Sequence, residues 1–154
     1  MQRNYNLEKL RLATKESCPL FSFNGIITYA KAVDIYDGDT FDIIISWYDA
    51  LYHFKARMYG YDSPEMKPPM TAPNRDEIKS RAIKAKERLW NLLHQNQDGM
   101  FIVYCHEFDK YGRILVSILP NEITKEQYNF ENTINQRMIN EGHGYSYHGG
   151  TKQK

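Results

Sequence analysis

Residues 25–59 read GIITYAKAVDIYDGDTFDIIISWYDALYHFKARMY, and this stretch decides the fold. β-Branched and aromatic residues recur in three strand-length runs, Gly25–Ile35, Phe41–Trp47 and Leu51–Tyr59, broken at Asp37 and Gly38 and again at Asp49 and Ala50. Breaks this short predict three consecutive antiparallel strands. In the third run Phe54, Ala56 and Met58 alternate with Lys55, Arg57 and Tyr59. A period of two therefore puts Arg57 on the face opposite the apolar set, available to a ligand.

Outward from this core the pattern changes. Residues 66–73 carry Pro68, Pro69 and Pro73 and predict an irregular, flexible rim. A helix follows: Asn74 can cap it, Glu77 stands where a capping box needs it, and Ile78, Ala82, Ala85, Leu89 and Leu92 fall at helical spacing. Its other face carries Arg75, Lys79, Arg81, Lys84, Lys86 and Arg88, which reads as a solvated face and is not counted as a site. Strands resume at Met100–Phe108 and Ile114–Leu119 around an Asp109–Gly112 turn. A last helix is expected over Thr133–Glu141, stopping at Gly142. Upstream, residues 5–13 make either a short amphipathic helix through Leu7, Leu10 and Leu12 or a frayed arm.

Five strands in a three-plus-two arrangement with an inserted helix define an α+β fold: a small five-stranded β-barrel of the oligonucleotide-binding kind with two main packing helices. The expected organisation is an N-terminal arm or short helix over 1–23, one barrel domain over 24–147 and a short flexible tail over 148–154. At 154 residues the chain fits one domain, burying on the order of 70% of its unfolded surface. The balance of 20 Lys and Arg against 19 Asp and Glu, net +1, argues against a nonspecific nucleic-acid coat protein, so any polyanion must be bound locally. Cys18 and Cys105 form no zinc-binding or disulfide pattern, and the five histidines show no metal-ligand spacing. The first twenty residues contain no signal-like apolar run and no segment suits a bilayer, so an intracellular protein with no membrane association is expected.

The charged motifs carry the chemistry. Asp39 follows the glycine of a tight turn and Asp62 opens the loop leaving the third strand; if those strand ends meet, two hard oxygen ligands converge, as calcium requires. Ser63 precedes Pro64 and is biased to an extended backbone, which leaves its carbonyl as a further ligand and holds Glu65 beside the metal as a general base. Arg57 and Arg113 suit a phosphate because a guanidinium grips two oxygens at once and stays charged. Lys110 and Tyr111, at the hairpin tip, are placed to contact a terminal phosphate and to stack on a base or sugar. Asp37 is read as a turn residue, and no role is assigned to Tyr145 or Tyr147. The combination reads as phosphodiester hydrolysis.

The segments VDIYDGDTF at 33–41, FKARMYGYDSPE at 54–65 and FDKYGRILV at 108–116, in that order, resemble the staphylococcal nuclease (thermonuclease) family over about residues 24–147. The resemblance implies a Ca2+-dependent endonuclease on an oligonucleotide-binding barrel, acting on DNA and RNA with little sequence preference and leaving 3′-phosphate ends. Single-stranded nucleic acid is the expected partner, with no obligate protein partner. It implies Asp39, Asp62 and the Ser63 carbonyl as calcium ligands, Glu65 as general base, Arg57 and Arg113 as phosphate-binding arginines, and Lys110 with Tyr111 at the terminal phosphate. The family's C-terminal helix has no counterpart, leaving the segment before Asn24 as its candidate replacement. The ending GYSYHGGTK is similar to that of relatives encoded by large DNA viruses, which implies host cytoplasm or a virion as the location. The competing reading is a barrel that binds nucleic acid without cleaving it; degenerate modules of that kind lose the acids and arginines kept here.

Overall fold

Alternation builds the sheet. Along β2 (Thr40–Trp47) Phe41, Ile43 and Ile45 are buried, with Asp42, Ile44 and Ser46 on the other face. Strand β1 (Ile27–Ile35) pairs antiparallel with β2, and β2 pairs antiparallel with β3 (Ala50–Met58). The chain reverses between β2 and β3 through Tyr48 and Asp49, whose φ of 49° and 60° suit a two-residue hairpin turn. The reversal lies one residue earlier than expected, because Trp47 pairs with Ala50. The computed structural model describes residues 6–147; the tail expected over 148–154, with the end of GYSYHGGTK, lies outside the described residues.

Strands β5 (Met100–Phe108) and β6 (Ile114–Leu119) form the second expected hairpin. The five strands close into a barrel in the order β1-β2-β3-β6-β5. Closure uses antiparallel pairing of β1 with β5 and parallel pairing of β3 with β6. Register shifts between Ala32 and Asp34 and between Cys105 and Phe108 mark bulges. A bulge bends its strand, and each of these precedes one of the turns that carry the charged motifs.

Helix α2 (Arg75–Leu93) lays Ala82, Ala85, Leu89 and Leu92 on the barrel as the periodicity predicts. The expected Asn74–Glu77 capping box is absent: Asn74 sits at φ −120°, ψ 41°, outside the extended geometry a cap needs, and its side chain bonds no helix N–H. Helix α3 (Ile134–Asn140) is capped by Thr133 and closed at Gly142, where the His143 N–H reaches the Met138 carbonyl at 2.9 Å. Asn135, fully buried, donates to the carbonyls of Tyr59 and Val116 (2.8 and 2.9 Å) and accepts from the Ile118 N–H (2.9 Å). It uses both amide N–H groups and its oxygen while fastening α3 to β6 and the end of β3.

A two-stranded ribbon pairs β4 (Tyr61–Asp62) with β7 (Tyr145–Ser146). Helix α1 (Leu7–Leu12) buries no residue, so it does not replace a packing helix; it is six residues long and Leu7, Leu10 and Leu12 remain exposed. Phe23 instead enters the end of the barrel, 5.1 Å from the Trp47 ring and 5.6 Å from Phe54. On β5, His106 stacks on Tyr59 at 4.0 Å and shares a 2.8 Å hydrogen bond with the Ser117 hydroxyl, and burial pushes its imidazole down to about 4. Among the described residues no helix is long and apolar enough to cross a membrane.

Candidate phosphate and metal site

The acid turn is built by local bonds. Asp37 Oδ1 accepts the Asp39 N–H at 3.0 Å, a side chain copying a backbone turn. Asp39 is then held on both oxygens, Oδ1 by the Thr40 hydroxyl at 2.8 Å and Oδ2 by the Ser63 N–H at 2.9 Å. The buried Tyr61 hydroxyl donates to the Gly38 carbonyl at 2.7 Å, tying the turn to β4. Gly38 is required by close approach: a Cβ there would lie 2.7 Å from the Ala85 Cβ and 2.8 Å from the Ser63 Cβ. The turn is therefore clamped between α2 and the loop that follows β4.

Arg57 on β3 is the register partner of Thr40 on the neighbouring β2, which puts its guanidinium beside that turn. It donates to Asp62 Oδ1 in a short contact and lies 3.4 Å from Asp39 Oδ2. Its side chain is 16% exposed, against 5% for Asp39 and 4% for Asp62. Burial works against the Arg57 charge, yet Asp39 and Asp62 hold its pKa above the ordinary value. Asp37 is pushed up to about 7 by burial and by the Asp39 carboxylate. One arginine thus faces three carboxylates, and Asp37, a turn residue by sequence, also belongs electrostatically to the site.

The second wall comes from the β5–β6 hairpin. Parallel pairing sets Arg57 opposite Leu115, so the turn before β6 lies beside Arg57. Asp109 organises that turn: its Oδ1 accepts from the N–H groups of Tyr111 and Arg113 (both 2.9 Å) and its Oδ2 from Arg113 Nε (2.7 Å). Burial opposes the Asp109 charge, but these bonds hold its carboxyl below the usual range. Lys110 Nζ and Arg113 Cζ lie 5.2 and 5.1 Å from the centre of the Tyr111 ring.

A cavity of about 490 Å³ gathers Arg57, Asp62, Lys110, Tyr111, Arg113 and Tyr147 in its lining. Asp39 and Ser63 do not line it; both are buried, in contact with each other and, through Asp39, with Arg57. Glu65 is the exception. Exposed, and without a hydrogen bond or ion pair among the described residues, it lines a neighbouring depression with Asp37 and Pro69 rather than the arginine cavity. Sequence reasoning missed Asp109 as the residue that aims Arg113 and Tyr61 as the tie beneath the acids, and it left Tyr147, a cavity wall, without a role. A two-residue ribbon such as β4·β7 leaves no periodicity from which Tyr147 could be found.

The donors fit a hard divalent cation in kind: two buried carboxylates, Asp39 and Asp62, and the adjacent backbone of Ser63, with negative charge that one arginine does not balance. Among the described residues no three His, Cys, Asp or Glu side chains form a metal cage, so water and backbone would have to complete the shell. No protein-family model and no curated protein matches this chain; the functional reading rests on the chemistry of the site.

Proposed function

We propose that the protein is a calcium-dependent nuclease of the staphylococcal nuclease type, hydrolysing phosphodiesters of single-stranded DNA and RNA with little sequence preference to leave 3′-phosphate ends. The observation that carries this reading is the convergence of Arg57 and Arg113 on one cavity that Asp62 also lines, with Asp39 behind it against Arg57. A phosphodiester monoanion fits between two guanidiniums, each able to hold two non-bridging oxygens and to stabilise the charge that builds at phosphorus. Asp109 fixes Arg113 in that role, and Lys110, Tyr111 and Tyr147 line the same cavity where the next phosphate and sugar lie. Asp39, Asp62 and the Ser63 carbonyl would hold calcium, which when bound supplies a Lewis acid for a phosphoryl oxygen. Glu65 accepts a proton from water as the water oxygen bonds to phosphorus; the P–O5′ bond breaks and the departing 5′ oxygen takes a proton from solvent, leaving the phosphate on the 3′ oxygen and a 5′ hydroxyl.

A second reading, binding without cleavage, is favoured by the position of Glu65 outside the lining of the arginine cavity. Incubation of the chain with single-stranded DNA and with RNA, in calcium or in chelator, separates the two. Degradation in calcium that stops in chelator supports the nuclease. Intact polymer that is nevertheless bound supports the second reading.

A further inference from the structure

We infer that a second cavity, on the far side of the Ser63–Glu65 segment, binds the nucleotide that flanks the scissile phosphate opposite the arginine cavity. This rests on the nuclease reading above. The second cavity measures about 510 Å³, close to the first, and each lies within the range that takes one small-molecule unit. Asp62 lines the first cavity and its neighbours Ser63, Pro64 and Glu65 line the second, so the loop that carries the acids is the partition between them. The β4·β7 ribbon repeats this division: Tyr145 pairs with Asp62 and lines the second cavity, while Tyr147 lines the first. A polymer whose phosphate is gripped at the partition must place one nucleoside on each side.

The lining suits that occupant. Pro64, Pro68, Pro73 and Ile78 give flat apolar surface for a base. Arg81 supplies the cation: its guanidinium donates to the Tyr145 hydroxyl at 2.8 Å and has no carboxylate partner among the described residues, leaving donors for a backbone phosphate. A largely apolar hollow with Arg81 in its lining, and Glu65 on the partition that divides it from the arginine cavity, matches a nucleotide better than an apolar peptide.

Full-length protein in calcium is given oligothymidylate and a thymidine diester bearing p-nitrophenol in place of the second nucleoside. Arg81→Gln removes the cation, and Thr71→Glu puts a carboxylate on the rim without touching the Arg81–Tyr145 bond. Each variant is expected to lower the ratio of kcat/KM for oligothymidylate over the minimal diester about tenfold, through KM, and to weaken oligothymidylate binding, read by fluorescence anisotropy, to a similar extent. An unchanged ratio in either variant, or equal losses on both substrates, overturns the proposal. Wild-type protein that binds oligothymidylate without cleaving it, with binding weakened in both variants, overturns the nuclease reading and leaves the subsite standing. Protein that neither binds nor cleaves overturns both.

Discussion

Arg57→Gln keeps a side chain of similar reach and removes the one positive charge between Asp39 and Asp62. Breaking a buried ion pair by deleting one partner costs about 3–5 kcal/mol. The Arg57 side chain keeps 16% exposure, so water offsets part of the loss and the lower end, about 3 kcal/mol, applies. For a chain of this length each kcal/mol moves Tm by about 2–4 °C, so the variant should melt about 6–12 °C lower in chelator. Calcium should then restore more of the melting temperature in the variant than in the wild type, because the cation replaces a charge that the wild type already has. The assay is thermal unfolding by circular dichroism at low ionic strength, with calcium and with chelator, on both proteins. A variant melting within about 2 °C of wild type in chelator would refute the ion-pair argument. Equal calcium gains in the two proteins would show that the arginine and the cation do not share the acids.

His106 gives a pH prediction. Its folded pKa of about 4 lies below the ordinary 6.5, so between those values the unfolded chain binds a proton that the folded chain refuses. Stability therefore rises with pH through this window and is lost as pH falls through it, by about 3 kcal/mol in total. Urea unfolding from pH 4 to 7 should show the slope in wild type and its loss in His106→Phe; parallel curves would refute it. Gly38→Ala should cost about 1–3 kcal/mol by overpacking against Ala85 and Ser63, with Ala85→Gly returning part of it in a double-mutant cycle; additive single-variant effects would break the argument. Glu65→Gln should lower kcat roughly 100 to 10,000-fold at unchanged oligonucleotide affinity, and wild-type turnover would remove Glu65 from the chemistry.

The barrel was legible because its strands alternate. Phe41, Ile43 and Ile45 inside, Arg57 outside, and an apolar stripe on α2 are periodic signals set by the burial of one face. Strand parity likewise put Arg57 on the face opposite the apolar set, though not its partner: the ion pair with Asp62 depends on how the chain turns after β3. What escaped reading depended on contacts between residues far apart. Asn135 looks like any helix amide until the carbonyls of Tyr59 and Val116 arrive beside it, and Tyr145 becomes a strand residue only by pairing with Asp62. Local rules also misplaced one cap: Asn74 has the right side chain in the wrong backbone geometry, whereas Thr124 and Gln127 form a capping box around a short 3-10 turn.

The parallel pairing of β3 with β6 is the strand contact that brings Arg57 beside the turn carrying Arg113, residues separated in sequence by the whole of α2 and β5. Residues 95–98, between those two elements, are exposed. A chain divided there yields two fragments, one with Arg57 and the other with Arg113, and neither keeps both cavity arginines. Attached to two other proteins, the fragments would rebuild the two-arginine cavity only when those proteins meet, making barrel closure a switch for whatever that cavity binds.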